Sequence, residues 1–136
     1  MDARFDECIH TIFVKSLLTV TAIFEAATGI SLVAAPSMLV PILLDAPLDE
    51  PGAIVLGRIA GAALIALANA CWSSRNDGQG AAGIVKAMLF YNVAAALVLA
   101  YAGLGEHFSG IGLWPAVLIH TGLAMWCITS IRAIPK

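Results

Sequence analysis

The sequence predicts an all-α integral membrane protein: an up-down four-helix bundle with an outer interfacial loop between helices 1 and 2. Three observations predict it. The 136-residue chain is 60% hydrophobic and 12% charged, where a soluble domain has about a quarter of its residues charged. A soluble fold this short cannot hide that much apolar surface. Next, four separate stretches reach the length of about 20 helical residues that a hydrocarbon core requires. None alternates as a barrel strand would, so helices are the spanning structure. Finally, the cations segregate. Arg4 and Lys15, Arg75 and Lys86, and Arg132 and Lys136 all fall on one side if the spans alternate. The other side carries Asp45, Asp49, Glu50 and Glu106, with Arg58 the only nearby cation. Positive residues stay inside, so both termini are expected in the cytoplasm.

The first span is expected over about residues 9–34. Its "SLVAAP" resembles a small-residue cleavage site, but the apolar core is long for a signal peptide and acids crowd its start. The connection "PSMLVPILLDAPLDEPG" that follows is broken by prolines and too short to span. It reads as a short helix or turn at the outer interface, with Met38, Leu39, Ile42 and Leu43 toward lipid or protein. Two roles are open for it, a lid over the bundle or a capped loop.

The second span, about 53–72, opens with "GRIAG", which sets Gly57 and Gly61 four residues apart with Ala53 extending the row. This small-xxx-small spacing lets helix backbones approach closely, within one chain or between copies. The third span is expected over about 81–102 and the fourth over about 112–131. In the fourth, Gly112, Ala116, His120 and Ala124 recur at fours, which puts His120 on the small face. Short connections make successive helices neighbours. Trp114 and Tyr101 near the outer boundary, and Trp72 and Trp126 near the inner one, read as interfacial belt residues.

A rise of about 1.5 Å per residue converts position into depth. With outer ends near Ala34, Ala53, Ala102 and Gly112, Glu25 lies roughly 13 Å below the outer boundary, Arg58 about 8 Å, Asn92 about 15 Å and His120 about 12 Å. Each span thus gives one polar side chain to a single layer, as ligand site or structural seam. A charge at mid-span costs about 2.5 to 3.5 kcal/mol on the mild insertion scale. Glu25 is therefore expected either to pair with Arg58 or to hold a proton while Arg58 snorkels to the headgroups. Tyr91 and Asn69 are secondary members. Tyr91 points about 100° from Asn92, and Asn69 is expected to make one interhelical bond or to continue a polar track.

No phosphate loop, HExxH, CxxC or GxSxG occurs, and no basic patch suggests nucleic acid. Cys8, Cys71 and Cys127 follow no metal-ligand spacing, and a reducing cytoplasmic setting argues against a disulfide. His10 and His107 lie too far in depth from His120 to share a metal with it.

The stretches "GRIAGAALIALANACW", "LFYNVAAALVLAYAGL" and "LWPAVLIHTGLAMW" together resemble the small four-helix inner-membrane proteins of bacteria, DoxX-like proteins and neighbouring families. The pattern is Gly-Arg opening span two, Asn in span three, and Trp-Pro then His in span four. The resemblance implies the architecture and no catalytic residues. Function is expected to be non-enzymatic: an accessory or binding subunit in the lipid bilayer, self-associating or part of a larger membrane complex. The alternative is an oligomeric small-molecule or proton-coupled transporter using Glu25. An enzyme or redox subunit built on His120 lacks a second ligand or a base.

Overall fold

The computed structural model describes residues 3–132, without the side chains of residues 3–10, 78 and 79. The side chains of Arg4, Cys8 and His10, and all of Lys136, lie outside the described residues. The described chain is all helical: α1 (Ala3–Ala34), α2 (Pro36–Leu44), α3 (Pro51–Ser74), α4 (Gly78–Leu104) and α5 (Leu113–Arg132). Four of these, all but α2, are long and apolar enough to cross a membrane. Each exceeds its sequence-derived bounds by a few residues at one end or both, except α5, which is shifted by one.

Local chemistry sets the ends. Ala35 stands before Pro36, and a residue preceding proline avoids the helical region. It takes φ −146° and ψ 66°, which separates α1 from α2. Pro36 and Pro51 each open a helix, where the missing N–H is no loss. Asp45 ends α2 in the left-handed conformation, φ 53°, its N–H donating to the Pro41 carbonyl at 2.8 Å. The connection from "PSMLVP" onward is thus a real helix, with Met38 and Ile42 exposed and Leu39 and Leu43 half-buried.

That helix is docked. The Gly112 N–H donates to the Ile42 carbonyl at 2.9 Å, and the Ser109 hydroxyl donates to Asp45 Oδ2 at 3.2 Å. A Cβ at Gly110 would collide with the Leu43 carbonyl. The connection between α4 and α5, which turns through His107 at φ 61°, therefore lies against α2.

The long helices pack chiefly as two pairs, α1 with α3 and α4 with α5, and the pairs meet more lightly. The α1–α3 contact is a backbone crossing. A Cβ on Gly61 would lie 2.7 Å from the Gly29 carbonyl oxygen, and a Cβ on Gly29 would lie 2.7 Å from that of Gly61. Gly57 faces Pro36. The small row of "GRIAG" thus serves packing within the chain.

The apolar core lies toward the end that carries the termini. Val14, Leu17, Leu18 and Ala22 of α1 meet Cys71 of α3, Val85 and Met88 of α4, and Leu123 and Cys127 of α5. Outward, Phe90, Leu97, Val98, Leu118 and Met125 are 63% to 78% exposed. Of the aromatic belt candidates, Trp72, Tyr101 and Trp114 face outward. Trp126 instead turns in against Phe13, ring centroids 5.4 Å apart.

Candidate functional site

Of the four residues placed at one depth, Asn92 and His120 bond directly and Glu25 joins them through Tyr91. Asn92 of α4 is fully buried, and its amide nitrogen donates to the Met88 carbonyl at 2.8 Å. Its Oδ1 can then only accept, so Nδ1 of His120, 2.8 Å away on α5, carries the hydrogen of that bond. In the neutral ring Nε2 is left with the lone pair. Phe24 of α1 and Tyr91 of α4 stand edge-on to this imidazole, with centroids 5.8 Å and 5.7 Å from it.

Glu25 is fully buried beside them. The Tyr91 hydroxyl donates to its Oε2 at 3.2 Å. Tyr91 and Asn92 thus both reach the layer despite their angular separation, because the phenol is long enough to span from α4 to α1. Glu25 Oε1 is buried without a hydrogen-bond partner, and so is Thr21 Oγ1 one turn earlier on the same helix. Residues four apart lie on one helical face, so two unsatisfied oxygens lie next to each other in sequence register. A buried polar group left so costs about 1 to 3 kcal/mol. Thr21 is a site residue that the depth reading missed. Its signal was the i−4 spacing from Glu25.

The expected Glu25–Arg58 pair is not formed. Arg58 is exposed, and among the described residues no cation reaches the carboxyl of Glu25. The reason is register. Gly29 packs on Gly61 and Ile65, and Gly57 on Pro36, so Glu25 is level with the region of Ala68. Arg58 stands roughly 15 Å further along, about ten residues of helical rise. The depth reading set Ala34 and Ala53 at one level; the structure sets Pro36 beside Gly57 instead. Asn69 also differs from expectation. It is exposed and accepts from the Ser73 hydroxyl of its own helix at 3.1 Å, joining neither another helix nor a track. It edges an open groove of about 430 Å³ between α1 and α3, otherwise lined by apolar side chains such as Ala22, Ile65 and Trp72.

Above the layer, toward α2, the helix faces are less buried, although Leu113 is fully buried there. The α4 face buried at Val85, Met88 and Asn92 continues as Ala95, Ala96 and Leu99, all only half-buried. On α5, buried Leu123 and His120 give way to half-buried Ala116 and Val117. On α1, buried Thr21 and Glu25 give way to half-buried Thr28 and Leu32. Below the layer, Leu17, Leu18 and Met88 fill the space. The polar groups therefore stand where the filled core below gives way to less buried helix faces on the side of α2. Among the described residues, no three His, Cys, Asp or Glu side chains gather as a metal site. No family model, curated protein or solved structure matches the chain.

Proposed function

We propose that this chain is a multi-pass protein of a bacterial inner membrane, both termini cytoplasmic, acting as a non-enzymatic binding or accessory subunit. Its recognition site is the layer of Glu25, Tyr91, Asn92 and His120. The observation that carries the reading is Glu25 itself: a fully buried carboxyl with one oxygen bonded to Tyr91 and the other without a partner. A layer serving only to hold helices together is expected to satisfy both oxygens. The outward rows of large apolar side chains support the bilayer as their solvent, since soluble monomers rarely expose contiguous apolar patches beyond a few hundred Å². Arg58, at the level of α2 and exposed, then reaches the outer headgroups. The unpartnered Glu25 oxygen favours a second reading, a small-molecule or proton-coupled transporter working as an oligomer or within a larger membrane complex.

Native mass spectrometry of gently extracted protein tests the site. The wild type is expected to carry a small molecule, a partner or a second copy, and Glu25→Gln to lose the small molecule while keeping its fold. A clean monomer with nothing bound would sink the binding reading.

The orientation is tested by labelling. In a background with Cys8, Cys71 and Cys127 replaced by alanine, Asp49→Cys should react with an impermeant thiol reagent in intact cells. Asn76→Cys should react only after permeabilisation. The reverse pattern would overturn the orientation.

A further inference from the structure

We propose that the open groove between α1 and α3 holds one acyl chain of an anionic phospholipid, whose phosphate lies between Arg75 and Lys15 in the leaflet on the side of the termini. This rests on the reading of the chain as membrane-spanning and is independent of what the Glu25 layer binds.

The groove has a floor and a rim. Below the crossing of Gly29 and Gly61, Ala22 of α1 and Ala68 of α3 are buried, and Ala26 is half-buried. Larger side chains stand outside them: Ile23, Ile65 and Trp72 are 61%, 37% and 48% exposed. Small side chains between large ones leave the open volume of about 430 Å³. A gap between side chains forfeits dispersion contacts, and in lipid such contacts are what hold surfaces together. A flexible methylene chain restores them. It reaches the groove sideways from the leaflet, without passing through the bundle.

Polarity is graded along the groove. Ala26 and Ile65 at its deep end are apolar. Asn69 follows, its Oδ1 accepting from the Ser73 hydroxyl, so the amide nitrogen is the donor it presents. Trp72 closes the line at the interface. Just beyond it the Arg75 guanidinium lies over the Trp72 ring, 3.7 Å from the centroid, and donates to the Trp72 carbonyl. A guanidinium carries five N–H donors in a planar fork, so this bond positions the group and leaves others for phosphate oxygens.

Lys15 joins it from α1. Lys15, Ala22 and Ala26 share one helical face. The register set by Gly29 and Gly61 brings Lys15 within about one turn of the level of Arg75. The carboxyl of Asp77 lies against Gly80 at the start of α4, where a helix terminus stabilises a carboxylate. Hydrocarbon, then an amide donor, then an indole, then two cations is the order that meets a phospholipid from chain through ester to phosphate.

The test is titration of delipidated full-length protein in detergent with phosphatidylglycerol, and with phosphatidylcholine carrying the same chains, bound lipid being read by native mass spectrometry. The wild type should prefer phosphatidylglycerol. Lys15→Gln and Arg75→Gln should each cost about fivefold in its affinity, the worth of one basic residue at an anionic surface, and the double variant should lose the preference. Arg132→Gln, at the same end but on α5, which does not line the groove, should leave it unchanged. Ala26→Phe, which fills the groove, should weaken both lipids. Thermal unfolding shows which variants are folded, and the two exterior cations decide the matter if Ala26→Phe is not. Equal binding of the two lipids by wild type, or an equal loss in Arg132→Gln, would overturn the proposal. So would a dimer that excludes lipid and dissociates in Ala26→Phe, which puts a second copy in the groove. An alkaline wash of membranes separates the two levels. Protein that stays in the membrane but shows no lipid preference keeps the spanning reading and sinks the lipid site, whereas protein released by the wash sinks both.

Discussion

Alanine at Gly61 is expected to destabilise the folded bundle by about 1 to 3 kcal/mol, the range for overpacking a close contact, and alanine at Gly29 by a similar amount. The added methyl on Gly61 would lie 2.7 Å from the Gly29 carbonyl oxygen and 2.9 Å from Val33 N. Those atoms are backbone and cannot rotate away, so α1 and α3 must separate. In lipid, helices associate through close packing rather than by expelling water from apolar faces, so a separated crossing loses the contact that holds the pair. Gly122→Ala supplies the control. It lies in α5 with nothing within 4 Å of an added Cβ, and alanine favours helix over glycine by about 1 kcal/mol in the helix interior. It should be neutral or slightly stabilising. Equilibrium unfolding of reconstituted protein gives both values, and equal effects at Gly61 and Gly122 would contradict the crossing. The consequence extends to the layer, because Glu25 is one turn from Gly29. Displacing α1 moves the carboxyl away from the Tyr91 hydroxyl, so Gly61→Ala should also weaken whatever the layer binds.

The same crossing explains which parts of the site were legible in the sequence. The four long helices follow from apolar length alone, which needs no periodicity to be recognised. Asn92 and His120 were placed at one depth correctly because a short connection joins α4 to α5, so counting inward from Ala102 and Gly112 keeps the two helices in step. The same counting failed for Arg58. Between α1 and α3 the chain inserts α2 and an irregular stretch to Glu50, and nothing in that segment requires Ala34 and Ala53 to be level. The register is set instead where two glycine backbones touch. The spacing of Gly57 and Gly61 announced a contact, but not that Gly29 was its partner. A single glycine in an apolar run carries no such information.

Tyr91 and Thr21 were harder to read for different reasons. An angle of about 100° per residue describes where a Cβ points, and a phenol oxygen lies several bonds beyond it. Tyr91 therefore reaches Glu25 from a position that the helical wheel sets aside. Thr21 looked like any threonine of an apolar helix. Thr19, Thr28 and Thr121 each donate back to the carbonyl four residues earlier, which is the usual resolution for a hydroxyl in a helix interior. Thr21 alone of these has its hydroxyl buried without a partner. That departure is visible only once the neighbouring helices are in place.

Replacing Asn92 by leucine is expected to cost about 1 to 3 kcal/mol, the range for stranding a buried donor, here the His120 Nδ1–H. His120→Phe should cost less, because phenylalanine keeps the edge-on contacts with Phe24 and Tyr91 and strands only the Asn92 Oδ1. The double variant removes both partners at once. Its loss of stability should fall short of the sum of the single losses by about 1 kcal/mol, within the range of about 0.5 to 3 kcal/mol for residues in contact and of interhelical hydrogen bonds in membranes, which reach about 1.7 kcal/mol. Asn92→Asp keeps an acceptor facing Nδ1–H and should preserve the Nδ1–H tautomer, which ring nitrogen chemical shifts report directly. Additive losses, or an unchanged tautomer in Asn92→Leu, would mean that Asn92 does not set the ring. The distinction bears on function. If Asn92 fixes Nδ1–H, the neutral ring keeps a lone pair on Nε2, and His120 can accept a hydrogen bond in the layer. Without that restraint the ring is free to turn, and Nε2 has no fixed direction in which to accept.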